Sequence, residues 1–144
     1  MITLRPCILE DSLFYYNVKK ITLKQYVEQT WGVWDERYQR ERHKKNFIPE
    51  NTQIIQIKGL DIGILVSEEN SETMMIHNIE ILPEYQNQGI GSHLLNKIIQ
   101  EAIERDKYIS LQVFKTNPKA RNLYQRLGFF VEAENETHFK MRYL

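Results

Sequence analysis

The sequence predicts a mixed α/β sheet of about seven strands flanked by helices, built as one domain over residues 1–144, and three observations carry that expectation. Short runs rich in β-branched and aromatic residues recur along the chain, with runs of helical period between them. One of those helical runs, entered from a strand through Gly89 and Gly91, carries an apolar stripe at the 3.6-residue period. No internal repeat, low-complexity tract or Ser/Gly/Pro linker marks a boundary, and a chain of 144 residues buries about two-thirds of its unfolded surface in one core.

Ile2, Leu4 and Cys7-Ile8 suggest a first strand. Glu10-Asp11-Ser12 then supplies helix-starting residues ahead of Leu13, Tyr16, Ile21, Tyr26 and Val27. The helical region runs to about residue 45 and breaks at Trp31-Gly32-Val33-Trp34, because Gly is a poor interior helix residue and Asp35-Glu36 suits a fresh first turn. Strands follow at 53–58, 62–67 and 73–82, the first two joined by a turn containing Gly59. Ile90, Leu94, Leu95, Ile98, Ile99, Ala102 and Ile103 form the buried stripe of the next helix, and a strand follows at 108–114. A short helix over 118–127 has Asn117 as N-cap, Pro118 at its first position and Gly128 just past its end. Strands at 129–133 and 138–143 close the chain.

Composition removes several function classes. With 19 basic and 19 acidic residues and a pI near 6.9, the chain lacks the basic excess of a nucleic-acid binder. Its apolar runs fall short of a membrane span. Cys7 is the single cysteine and has no partner for an internal disulfide, and Met1-Ile2-Thr3-Leu4-Arg5-Pro6 contains no apolar run resembling a signal peptide, so a cytoplasmic address is expected. His43, His77, His93 and His138 show no metal-ligand spacing with each other or with Cys7, and no metal is expected.

The strongest functional signal is Ile81-Leu82-Pro83-Glu84-Tyr85-Gln86-Asn87-Gln88-Gly89-Ile90-Gly91, a strand end, a polar turn and two glycines opening a helix. Such an end leaves backbone N–H donors unpaired at the positive pole of the helix dipole, where anions bind. Glycines without Cβ let a diphosphate lie against the main chain. The spacing lacks the Lys-Ser or Lys-Thr of a P-loop and the first glycine of a dinucleotide fingerprint. By itself it equally fits a tightly packed strand-to-helix turn.

The run Gln86-Asn87-Gln88-Gly89-Ile90-Gly91 resembles the R/Q-x-x-G-x-G/A signature of the GNAT superfamily of N-acetyltransferases, and Ile81-Leu82-Pro83 is similar to its V-x-P strand end. A second segment, Asn117-Pro118-Lys119-Ala120-Arg121-Asn122-Leu123-Tyr124-Gln125-Arg126-Leu127-Gly128-Phe129, resembles the N-x-x-A-x-x-x-Y-x-x-x-G-F pattern of the same superfamily. The resemblance covers residues 72–133 and is weak before them. It implies a mostly antiparallel sheet in which the strands at 73–82 and 108–114 splay apart, and acetyl-coenzyme A as co-substrate. It also implies that Ile81, Leu82, Gln86, Asn87, Gln88, Gly89, Ile90, Gly91, Ser92, Asn117 and Tyr124 bind that coenzyme, with backbone groups of Ile81 and Leu82 on the pantetheine arm and an N–H near Ile81 polarising the acetyl carbonyl.

Acetyl transfer to an amine requires a neutral amine, a donor for the carbonyl oxygen and a proton for the departing thiolate. Tyr124 stands at the superfamily tyrosine, and a phenol is protonated at neutral pH and able to give its proton to a thiolate. Ala120, Leu123, Tyr124 and Leu127 also share one helical face, so its ring doubles as a packing element. Glu80 is the candidate base, on the strand face it shares with Asn78 and Leu82, either directly or through a water; an ordinary strand glutamate or one paired with a substrate cation fits the same pattern. Gln112 stands where some relatives carry a glutamate base and cannot do that work, and His138 reads as a surface histidine.

For the acceptor, Trp31, Trp34, Asp35, Glu36 and Arg37 form one wall by analogy, able to receive a cationic amine, while the tryptophans equally suit the helix-to-sheet core. The expected activity is direct transfer of an acetyl group from acetyl-coenzyme A to a primary amine of a small molecule or peptide in a ternary complex, by a monomer or homodimer with no nucleic-acid or membrane partner. Cys7, placed on the first strand, lies outside the coenzyme segments and argues against a covalent relay. A non-catalytic acyl-coenzyme A-binding domain and a protein N-terminal acetyltransferase are the alternatives.

Overall fold

The computed structural model describes residues Met1–Leu144. They group into two compact units, Met1–Val66 with Asn78–Gln86, and Ser67–His77 with Asn87–Leu144. The strands form one seven-stranded sheet in the order β1-β2-β3-β4-β5-β7-β6, numbered along the chain. The β4–β5 pairing is parallel, whereas β1–β2, β2–β3, β5–β7 and β6–β7 are antiparallel, which is the mostly antiparallel α/β arrangement expected.

The first unit holds β1 (Ile2–Pro6), α1 (Ser12–Trp31), α2 (Glu36–Asn46), β2 (Thr52–Ile57), most of β3 (Leu60–Glu69) and the end of β4 (Thr73–Ile81). Ile54 and Ile55 are neighbours on β2 yet both are fully buried, so this strand is covered on both faces. Cys7, Tyr15, Val18, Ile54, Ile64 and Val66 form the core cluster, with Phe14, Phe47 and Leu82 packed on it. Helix α1 ends at Gly32, whose φ of 96° is open to glycine, and the Gly32 N–H reaches the Glu28 carbonyl at 2.7 Å. Asp35 restarts the chain as N-cap of α2 by accepting from the Tyr38 N–H at 3.0 Å. Glu36 in the first turn and His43, Lys44 and Lys45 in the last suit the helix dipole.

The strand expected to include Cys7 and Ile8 stops at Pro6, where the ring removes a ladder donor. Cys7 still gives its N–H to the Thr52 carbonyl at 3.1 Å, but Ile8 turns out to solvent.

Glycine at 63 answers to space. A Cβ there would stand 2.3 Å from the Glu80 carbonyl oxygen and 3.2 Å from the Ile81 Cα. Both are backbone atoms and neither can rotate aside, so Gly63→Ala should destabilise the protein by about 1–3 kcal/mol, read as a lower denaturant midpoint.

The second unit holds the start of β4, α3 (Ile90–Glu104), β5 (Tyr108–Phe114), α4 (Pro118–Arg126), β6 (Phe130–Glu134) and β7 (His138–Tyr143). Thr73 to Ile76 of β4 pair with Tyr108 to Leu111 of β5, and the whole length of β5 from Ile109 to Phe114 pairs with β7. Ile90, Leu94, Leu95, Ile98, Ile99 and Ala102 of α3 are buried, as are Ile109, Leu111, Val113, Phe129 and Met141. Ile103, expected in the same stripe, is 54% exposed, because at the 3.6-residue period it falls outside the flank that Ile99 sets. No helix is long and apolar enough to cross a membrane.

Candidate active site

Strand β4 ends one residue earlier than expected, at Ile81, and the chain turns through Pro83–Tyr85. The Leu82 N–H goes to the Ile62 carbonyl at 2.9 Å, and the Leu82 carbonyl accepts from the Tyr85 N–H at 2.9 Å. Leu82 is thus committed within the first unit, as a core contact and as the hinge of the turn. Alternation turns the Ile81 N–H to the strand edge away from β3. Gln86 folds back so that Nε2 donates to the Ile81 carbonyl at 2.8 Å, closing the turn with its side chain.

Asn87 (φ 62°) and Gly89 (φ 80°) adopt the left-handed region on either side of Gln88, in the turn that leads into α3. Gly89 is the N-cap and no side chain caps the helix. The first intrahelical bond there is His93 N–H to the Gly89 carbonyl at 3.0 Å, so the N–H groups of Ile90, Gly91 and Ser92 precede the ladder and suit an external anion. Lys119 of α4 donates to Asn87 Oδ1 at 2.7 Å, joining the glycine loop to the first turn of α4. The sequence alone did not single out that lysine.

In α4, Asn117 Oδ1 accepts from the Ala120 N–H at 3.1 Å, so the cap occupies the amide oxygen and not Nδ2. Tyr124 is half-buried, its ring centroid 5.7 Å from that of Phe129 at 58°. Its carbonyl accepts from the N–H groups of Leu127 and Phe129 at 3.1 and 3.0 Å, so packing and helix termination fix the residue.

Glu80 sits in the first unit, partly accessible as a residue but with its carboxyl group enclosed by protein. Burial pushes that carboxyl up to about 7, against hydrogen bonds from Thr22 and Asn78 and the positive charge of Lys19, which pull the other way. Lys19 is itself driven down by burial, its ammonium 5.5 Å from the centroid of the Tyr15 ring. Asn78 belongs to the strand face expected for Glu80. Lys19 and Thr22, one turn apart on α1, are the partners the sequence did not disclose, although a lysine directly after Val18 on a largely buried helix face was a signal.

The remaining candidates divide. Trp31 is 56% exposed and fills no core, and Trp34 is half-buried with Nε1 donating to Glu36 Oε2 at 2.8 Å. Glu36 also meets Lys20 and Arg40, both at 3.1 Å, and these contacts, Lys20 first and Trp34 next, hold its carboxyl down at about 2. That acid therefore ties α1 to α2, and its charge is already answered. Arg37 is exposed and pairs with Glu41 at 3.5 Å. Gln112 is exposed opposite Lys140. His138 is half-buried where a surface position was expected, because the β5–β7 register sets it opposite Phe114, with ring centroids 4.3 Å apart, and burial lowers its pKa. Cys7 is buried and its thiol is pushed up to about 11 by desolvation, the protonation state of a packing residue. No group of three or more His, Cys, Asp or Glu stands together as metal ligands.

A model of the acetyltransferase (GNAT) family matches residues 18–129, a span that takes in Glu80, the glycine loop, Asn117 and Tyr124. The chain is 29% identical over 117 residues to an uncharacterised N-acetyltransferase of Archaeoglobus fulgidus, covering 71% of this chain and 80% of that one. It is 33% identical over 106 residues to a [ribosomal protein bS18]-alanine N-acetyltransferase of Haemophilus influenzae, covering 73% of this chain but only 64% of that relative. Among solved structures, the PaiA N-acetyltransferase of Thermoplasma acidophilum in complex with coenzyme A has the same fold, with a TM-score of 0.78 at 18% identity over 99% of this chain and 98% of that one.

Proposed function

Because the chain belongs to the acetyltransferase (GNAT) family, we propose that residues 1–144 act as one catalytic domain that transfers an acetyl group from acetyl-coenzyme A to a primary amine of a small molecule or peptide, directly within a ternary complex. The observation that carries the reading is that the family match encloses an uncapped glycine-opened helix together with a tyrosine and a carboxyl group suited to acid and base roles. The N–H groups of Ile90, Gly91 and Ser92 receive the coenzyme diphosphate, with Gln86, Asn87, Gln88 and Gly89 shaping the loop. Asn117 Nδ2 and the Ile81 N–H serve the pantetheine arm and the thioester carbonyl.

Amine attack forms the C–N bond and breaks the C–S bond. Glu80 takes the proton the amine must lose, and Tyr124 gives its phenolic proton to the departing thiolate. A carboxyl near 7 is well matched to that work, since roughly half of it is ionised at neutral pH and its conjugate acid is strong enough to release the proton afterwards. Buried Cys7, a protonated thiol in the core cluster, supports direct transfer over an acetyl-cysteine intermediate.

Coenzyme release measured with polyamines, amino acids, aminoglycosides and short peptides tests the activity, and peptides beginning with alanine enter the panel because of the Haemophilus relative's name. Turnover on one amine class supports the reading; tight acetyl-coenzyme A binding without turnover on any of them favours an acyl-coenzyme A-binding role instead.

Glu80→Gln should lower kcat by tenfold or more, remove the acidic limb of the pH profile near 7 and spare coenzyme affinity. A rise in KM for a cationic acceptor with kcat preserved would instead make Glu80 a charge-recognition residue. The same group imposes a pH dependence on folding. Its pKa rises from 4.5 when unfolded to about 7 when folded, so between those values the folded state binds more protons and stability falls as pH rises. The loss, on the order of 3 kcal/mol for an enclosed carboxyl group, is nearly complete above pH 7 and absent below 4.5. In Glu80→Gln that slope in the unfolding free energy should vanish.

A further inference from the structure

The glycine loop contains no cation of its own. Gln86-Asn87-Gln88-Gly89-Ile90-Gly91 is neutral throughout, and Glu84 just before it is acidic. A helix N-terminus supplies the equivalent of roughly half a positive charge, against the two negative charges of a diphosphate. We infer that Lys119 supplies the missing charge and pairs with the coenzyme diphosphate at this loop, an inference that rests on the coenzyme reading proposed above.

Three features of Lys119 support this. Its Nζ is 2.7 Å from Asn87 Oδ1, which brings the ammonium to the loop itself. That partner is a neutral amide, so the charge stays uncompensated and available to an anion that displaces or shares the contact. Lys119 is also the second residue of α4, behind the Asn117 cap and Pro118, where a cation opposes the helix dipole. Helix stability therefore gives no reason for a lysine at this position, and an incoming diphosphate does. Asn87 gains a role as well, since its left-handed conformation turns the side chain that holds the lysine in place.

Calorimetric titration of the parent, Lys119→Met and Lys119→Arg with coenzyme A and with dephospho-coenzyme A tests the assignment. Both ligands carry the diphosphate and only the first carries the 3′-phosphate. Lys119→Met should lose about tenfold in affinity for both ligands, a deficit that shrinks as salt is raised, while Lys119→Arg stays within about threefold of the parent. Thermal stability of the methionine variant should match or exceed the parent's, which separates charge loss from misfolding. Unchanged affinity for both ligands would overturn the inference, as would a loss confined to coenzyme A, which would put the charge on the 3′-phosphate. If instead Gly91→Glu binds coenzyme A as the parent does, the loop assignment beneath the inference is the part that fails.

Discussion

Gly91→Glu should abolish measurable coenzyme binding while leaving the protein folded. Gly91 is the second residue of α3, between the N–H groups of Ile90 and Ser92 that precede the helical ladder. A glutamate there places a carboxylate against a site whose free donors and dipole attract negative charge, and it offers those donors an internal acceptor. The bound diphosphate then meets both steric bulk and like charge at close range, and a loss beyond about 100-fold is expected. The fold has reason to survive. Glycine is among the poorest helix residues, and an acidic residue in the first turn is favoured, so the substitution helps α3 locally. Ile90, Leu94, Leu95 and Ile98 anchor the helix through buried side chains that the change does not touch. Calorimetry with coenzyme A, alongside a thermal melt, reads both halves of the expectation.

The parts of this fold that were legible in the sequence are those set by local chemistry. Gly32 and Asp35 mark the helix break because one supplies a left-handed terminus and the other a capping carboxylate. Asn117, Pro118 and Gly128 bracket α4 for the same kind of reason, and the stripe of α3 announces its buried face. What stayed hidden depends on which distant residues meet. The pairing of Lys119 with Asn87 spans 32 positions. The crowding of Gly63 by the Glu80 carbonyl follows from the approach of two strands, and no composition rule anticipates it. Glu80 was visible as a strand glutamate, but its raised pKa comes from enclosure beside Thr22 and Lys19 of a helix nearly sixty residues earlier. Trp34 and Glu36 show the same limit: their adjacency suggests an acceptor wall, and only the fold discloses that Glu36 is held by Trp34, Lys20 and Arg40.

Tyr124→Phe should lower turnover by about 100-fold or more with coenzyme affinity nearly unchanged. The substitution keeps the ring with its tilted contact to Phe129 5.7 Å away, and it keeps the backbone carbonyl that caps the end of α4. Packing and helix termination are therefore preserved, and the change isolates the hydroxyl. An alkyl thiolate is a poor leaving group, so a proton placed at the sulfur as the C–S bond breaks lowers the barrier most when the acceptor amine is weakly nucleophilic. Two measurements separate this from a binding or folding defect. Kd for acetyl-coenzyme A should stay within a few-fold of the parent, and the melting temperature should change by only a few degrees. An acyl donor whose leaving thiol has a lower pKa needs less help from an acid, so it should recover much of the lost rate in the phenylalanine variant. Turnover within a few-fold of the parent on the true acceptor would reduce Tyr124 to a packing residue and leave thiolate protonation to solvent.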